Sequence, residues 1–226
     1  MEDQTFKYRR SVLMVPIIAI VLIWLIYFIE IKFSFNFNKY GIYPKTLEGL
    51  RGIIFSPFIH SNTNHLFNNS IPLAVMLTSL YYFYYKIAYK VLFFGLILTG
   101  LLTWLIARPS YHIGASGVVY LLVSFVFFSG IIRKYYRLTA LSLIVVFLYG
   151  GMVWYIFPTE ERISWEGHLS GFLVGFVFSV IFRKMGPQLE KFHFTKNEEF
   201  EKLFDEEGNF NPPEELEENL DIENKI

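Results

Sequence analysis

Residues 114–132 read GASGVVYLLVSFVFFSGII, nineteen positions without a charged side chain that open on four small residues and run on into Val, Leu and Phe. About 20 apolar residues in helical form cross the ~30 Å core of a bilayer, so this stretch reads as a membrane span. From Ser116 to Ile132 a helix rises only about 24 Å. With Ile132 at one edge of the hydrocarbon, Ser116 lies several ångströms below the opposite surface. The preceding segment, Arg108-Pro109-Ser110-Tyr111-His112-Ile113, then has to dip back into the membrane. Polar backbone is tolerated at that depth only where protein buries it or water reaches it. A water-filled pocket beside Ser116 is therefore expected.

Five further apolar runs of comparable length lie at 11–31, 65–85, 87–107, 138–157 and 165–182. The composition agrees: 54% of the 226 residues are apolar and 19% aromatic, with a mean hydropathy of +0.39, against roughly 45–50% apolar in soluble domains. The sequence predicts an all-α, polytopic membrane protein with six transmembrane helices and an interfacial first loop. The first run is too long, and too poor in small residues after it, for a cleaved signal peptide.

Charge is unevenly divided. Residues 186–226 carry 13 acidic and 4 basic side chains, net −9, which leaves net +9 in residues 1–185. The bases follow the ends of the apolar runs rather than forming a nucleic-acid stripe. Ten of them (Lys7, Arg9, Arg10, Lys86, Lys90, Arg133, Lys134, Arg137, Arg183 and Lys184) sit on one set of flanks, which by the positive-inside tendency is cytoplasmic. Both termini are expected inside. Three regions follow: a cytoplasmic N-terminus at 1–10, a membrane domain at 11–185, and an acidic, largely disordered cytoplasmic tail at 186–226, where a turn through Phe200, Leu203 and Phe204 is the lesser expectation. The loop at 32–64, with Phe33, Phe35, Phe37, Tyr40 and Tyr43, reads as interfacial with short helices. With no cysteine, disulfides and thiolate chemistry are excluded.

Polar groups inside apolar runs are costly and mark function. They form three clusters: His60, His65, Asn68 and Asn69; Gly114 to Gly117 with Tyr120; and Gly167, His168, Gly171 and Gly175. All three open even-numbered runs and so share one membrane level, on the extracytoplasmic side. Helical spacing puts His65 with Asn69, Ser116 with Tyr120, and His168 with Gly171 and Gly175 on common faces. The glycine stripe lets the sixth helix approach the fourth closely, whereas Gly95, outside these clusters, should tolerate a side chain better. A hydroxyl beside an imidazole is a nucleophile beside its base. No carboxylate stands where it could orient His168, since Glu166 points about 200° away around the helix. A Ser-His dyad held by packing on Tyr120 is the expectation, with helix-start N–H groups, His65 and Asn69 as oxyanion donors.

These three motifs, in this order and on these spans, resemble the rhomboid family of intramembrane serine proteases, over roughly residues 11–185. The resemblance implies Ser116 as nucleophile and His168 as general base. It implies His65, Asn69 and the Ser116 backbone at the oxyanion, Gly114 and Gly117 shaping the serine turn, and Gly171 and Gly175 packing helix on helix. Leu50-Arg51 stands where the family's first loop often carries Trp-Arg. The six spans resemble the bacterial form, which implies an inner-membrane location. Transmembrane proteins in the bilayer are the implied substrates, without cofactor, metal or nucleic acid; the oligomeric state stays open. The alternative is a non-catalytic rhomboid-like protein that binds or routes membrane clients. A metal site from His60, His65, His112 and His168 lacks a carboxylate or close ligand pair, and a transporter lacks visible repeat halves.

Overall fold

The computed structural model describes residues 6–158, 160, 163–188 and 198–211, and within those residues the regular structure is helical. Two compact units are distinguished, Met1–Leu189 and Glu190–Ile226. In the first, α1 (Ser11–Lys32) is followed by a connection holding 3-10 turns and the four-residue α2 (Gly52–Phe55), as the aromatic loop predicted. Then come α3 (Thr63–Phe83), α4 (Tyr85–Ile106), α5 (Ser116–Arg133), α6 (Tyr136–Tyr149) continued by a 3-10 helix over Gly150–Ile156, and α7 (Trp165–Ile181). The fifth run, expected as one α-helix, thus changes winding at Gly150-Gly151.

This is an all-α, multi-pass membrane protein. Large apolar side chains point outward along whole helices: Phe147 is 88% exposed, and Leu143, Ile144, Ile17 and Phe93 are exposed as well. Continuous apolar surface of that extent needs lipid around it.

Among the described residues, four helical segments, not six, are long and apolar enough to cross a bilayer by themselves: Ser11–Lys32, Tyr85–Ile106, Ser116–Arg133 and Tyr136–Ile156. The other two runs are helical but fall short for different reasons. The first half of α3 carries Asn64, His65, Asn68 and Asn69, which lower its hydropathy, and α7 has only 17 residues.

The core is built around α5, whose Val118, Val119, Leu121, Leu122, Phe125 and Val126 are buried. Its most extensive partner is α7. A Cβ at Gly171 would collide with the Gly117 carbonyl oxygen, and one at Gly175 with the Leu121 carbonyl oxygen, so the two backbones touch along the predicted stripe. At the far end Arg133, buried on α5, donates to the Phe182 and Arg183 carbonyls (2.7 and 2.9 Å), which caps the C-terminus of α7.

In the second unit the predicted disorder falls mainly on 190–197 and 212–226, outside the described residues. Residues 198–211 do form local structure. After α8 (Glu198–Glu201), the rings of Phe200 and Phe204 lie 5.2 Å apart, and the Asp205 carboxylate accepts from the Glu207 and Asn209 amides at 2.9 and 2.8 Å.

Candidate active site

The segment before α5 is held from three directions. His112 pairs through its backbone with Ile42 (3.0 and 2.9 Å), Gly114 N–H donates to the Ser56 carbonyl at 2.8 Å, and Ala115 N–H points at His60 Nε2, 3.5 Å away. Gly114 has φ +107°, a conformation L side chains rarely adopt. Space excludes a side chain as well: a Cβ there would lie 2.6 Å from His65 Nε2 and 3.5 Å from Asn69 Nδ2. His65 and Asn69, one turn apart on α3, therefore both bear on the turn that leads into Ser116.

Ser116 is the first residue of α5, and Ala115 before it supplies no side-chain cap. The first amides of the helix thus have no intrahelical acceptor. Asn69 Nδ2 is buried without a hydrogen-bond partner among the described residues. A buried amide donor left unpaired costs about 1–3 kcal/mol, so its retention calls for a reason outside folding. Ser61 Oγ lies 3.2 Å from His65 Nδ1. A hydroxyl proton donated there puts the ring proton of neutral His65 on Nε2, the nitrogen beside Gly114.

His168 lies in the first turn of α7 with 8% of its surface exposed. Its ring is stacked on Tyr120, the packing partner the sequence suggested, with centroids 4.2 Å apart. Its Nδ1 lies 3.0 Å from the Tyr155 carbonyl oxygen. A carbonyl only accepts, so Nδ1 carries the proton and Nε2 of the neutral ring keeps its lone pair. Tyr120 is fixed in turn by donating its hydroxyl to the Met152 carbonyl at 2.7 Å. Both carbonyls belong to the 3-10 helix Gly150–Ile156. Side-chain patterns could not have identified them, because every residue has a carbonyl.

A cavity of about 1060 Å³ brings His65, Asn69, Ser116, Tyr120 and His168 onto one wall system, together with Asn68. The glycines at 114, 117, 171 and 175 lie behind it, at the serine turn and the α5–α7 contact. His60 is 1% exposed, meets His65 edge to face at 5.0 Å and supports Ala115 from below. Burial first, then repulsion from His65, pushes its pKa down to about 4, so it is neutral at pH 7. Glu166, 1% exposed, faces away from His168, as helical geometry required. Its Oε1 lies 3.2 Å from Arg108 N and 3.7 Å from Arg108 Nε. His112, to which the sequence assigned no role, is buried, and burial lowers its pKa.

Residues 48–185 match the family profile described as "Rhomboid domain". An uncharacterized protein of Mycobacterium bovis is 35% identical over 173 residues, covering 70% of this chain and 70% of its own length. One from Mycobacterium tuberculosis strain H37Rv matches to the same extent. A Mycobacterium leprae protein, also uncharacterized, is 32% identical over 171 residues, or 69% of this chain and 65% of its own. With the profile spanning more than half of its length, this chain belongs to the rhomboid family.

Proposed function

We propose that the chain is an intramembrane serine protease that cuts transmembrane protein substrates, with Ser116 as nucleophile and His168 as general base. The observation that carries this reading is the Tyr155 carbonyl at His168 Nδ1. It leaves Nε2 as the basic nitrogen, in a cavity that Ser116 also lines. Ser116 Oγ adds to the scissile carbonyl carbon while its proton passes to His168 Nε2. The imidazolium then gives that proton to the leaving amine as the C–N bond breaks. Water, deprotonated by the same nitrogen, hydrolyses the acyl ester and restores the serine. The unpaired Asn69 amide, His65 Nε2–H and the Ser116 backbone N–H are the donors for the oxyanion. No carboxylate is required, because a backbone carbonyl fixes the tautomer.

The same reading supplies the topology. α3 and α7 complete six spans, the polar half of α3 being turned to the cavity and α7 shielded by α5. The basic flanks place both termini in the cytoplasm and the cavity mouth on the extracytoplasmic side of a bacterial inner membrane. Transmembrane proteins in that bilayer are the substrates. The test is labelling of the purified protein by a fluorophosphonate, with parallel cleavage of a reporter transmembrane substrate. Label and cleavage are expected in wild type and absent in Ser116→Ala and His168→Ala. Stable client binding with neither label nor cleavage in wild type would establish the non-catalytic alternative.

A further inference from the structure

Two side-chain bridges join the segment that delivers Ser116 to the turn that delivers His168. In the first, Glu166 Oε1 accepts from Arg108 N–H at 3.2 Å with the guanidinium Nε at 3.7 Å, and Arg108 Nη2 also donates to the Ile163 carbonyl at 2.6 Å. In the second, His112 Nδ1 lies 2.6 Å from Ser164 Oγ, and its Nε2 is 3.0 Å from the Arg108 carbonyl. Because that carbonyl only accepts, Nε2 carries the proton and Nδ1 accepts the Ser164 hydroxyl. Ser164 also accepts the His168 amide on its own carbonyl at 3.2 Å. One residue thus touches both the serine segment and the base's backbone.

The energetics make a purely stabilising role a poor explanation. Glu166 is almost wholly buried, and its Oε2 has no hydrogen-bond partner among the described residues. An ion pair that buries its carboxylate with one oxygen unsatisfied, while its arginine side chain is 36% exposed, adds little net stability; the best-attested use of such a costly buried charge is to set register. The register available here is that of the 108–115 segment against α7. An ordinary van der Waals contact would tolerate sliding, whereas two directional bonds four residues apart on one strand of chain do not.

We infer that Glu166, Ser164 and His112 are positioning residues, which hold the Ser116 segment in register with the first turn of α7 so that Ser116 and His168 stay aligned. This rests on the serine-protease reading. Misplacement by about 1 Å can lower a rate 100-fold. The experiment uses the full chain in proteoliposomes and measures kcat and KM for a reporter transmembrane substrate, each normalised to active sites titrated to completion with a fluorophosphonate. Glu166→Ala and Ser164→Ala are expected to lower kcat per titrated site by roughly 10- to 100-fold, with KM within about twofold. Glu166→Gln, which keeps an acceptor for Arg108 N–H, should recover most of that loss. Ser164→Ala removes a single hydroxyl and keeps the test available if Glu166→Ala misfolds. Wild-type kcat per titrated site in both alanine variants overturns the inference, as does activity that falls only in proportion to the number of titratable sites. If wild type itself shows no Ser116-dependent cleavage, the protease reading fails and this inference with it. Cleavage by wild type with unchanged variants removes the inference alone.

Discussion

The Tyr120 ring lies flat on the His168 imidazole, with centroids 4.2 Å and planes 11° apart, and the tyrosine is itself tethered by its hydroxyl to the Met152 carbonyl. The stack limits rotation of the imidazole about its side-chain bonds, while the Tyr155 carbonyl sets which nitrogen is free. The two restraints are separable. Tyr120→Phe keeps the ring and should retain activity within severalfold. Tyr120→Leu loses the stack, worth about 0.5–1.5 kcal/mol, and should lose about 2- to 12-fold more than the phenylalanine variant. Reporter-substrate turnover decides it, and equal rates in the two variants would show that the ring face is not what orients His168.

Asn69→Ala offers a test in which activity and stability move apart. Removing the proposed oxyanion donor should lower kcat by roughly 10- to 1,000-fold, in the range found for such donors. Because Asn69 Nδ2 has no hydrogen-bond partner to lose among the described residues, the melting temperature in detergent should stay level or rise. A marked fall in melting temperature would reveal a structural partner for the amide.

The helix contact can be probed with a single methyl group. Gly171→Ala and Gly175→Ala must push against the backbone carbonyls of Gly117 and Leu121, so both should impair cleavage by tenfold or more through displacement of α7. Gly95 is a gentler site, since the atoms nearest a Cβ there are the side-chain carbons of Leu121 rather than backbone, and Gly151 is gentler still, with open space around it. Cleavage should fall in that order, least for Gly151→Ala.

Acid should destabilise the fold through His60. Its pKa in the folded protein is about 4 against an ordinary 6.5, because burial and the facing His65 oppose its charge while the Phe58 carbonyl favours it only weakly. The unfolded chain therefore binds the proton first as pH falls. Stability is intact above about pH 6.5 and is lost progressively through the window down to about 4, by roughly 3 kcal/mol at about 1.4 kcal/mol per pKa unit. His112, also lowered by burial, acts in the same direction. Thermal melts at pH 7 and pH 4.5 should show the drop, and His60→Gln should flatten it.

Much is legible in the sequence, because helical periodicity and apolar run length are local properties. Ser116 with Tyr120, His65 with Asn69, and His168 with its glycines follow from i, i+4 and i, i+3 spacing along one chain segment. The membrane class follows from composition. The sequence also signalled that Glu166 could not orient His168. By itself, then, the sequence determined an all-α membrane protein and the order of its long helices, and it nominated the residues of the candidate site. Tertiary structure alone decided what holds those residues: the Tyr155 and Met152 carbonyls at His168 and Tyr120, His60 beneath Ala115, and Glu166 and Ser164 reaching back to Arg108 and His112. The physical reason is common to these cases. A carbonyl acceptor has no residue identity to read, and partners 13 to 58 positions apart meet only when the helices that carry them pack.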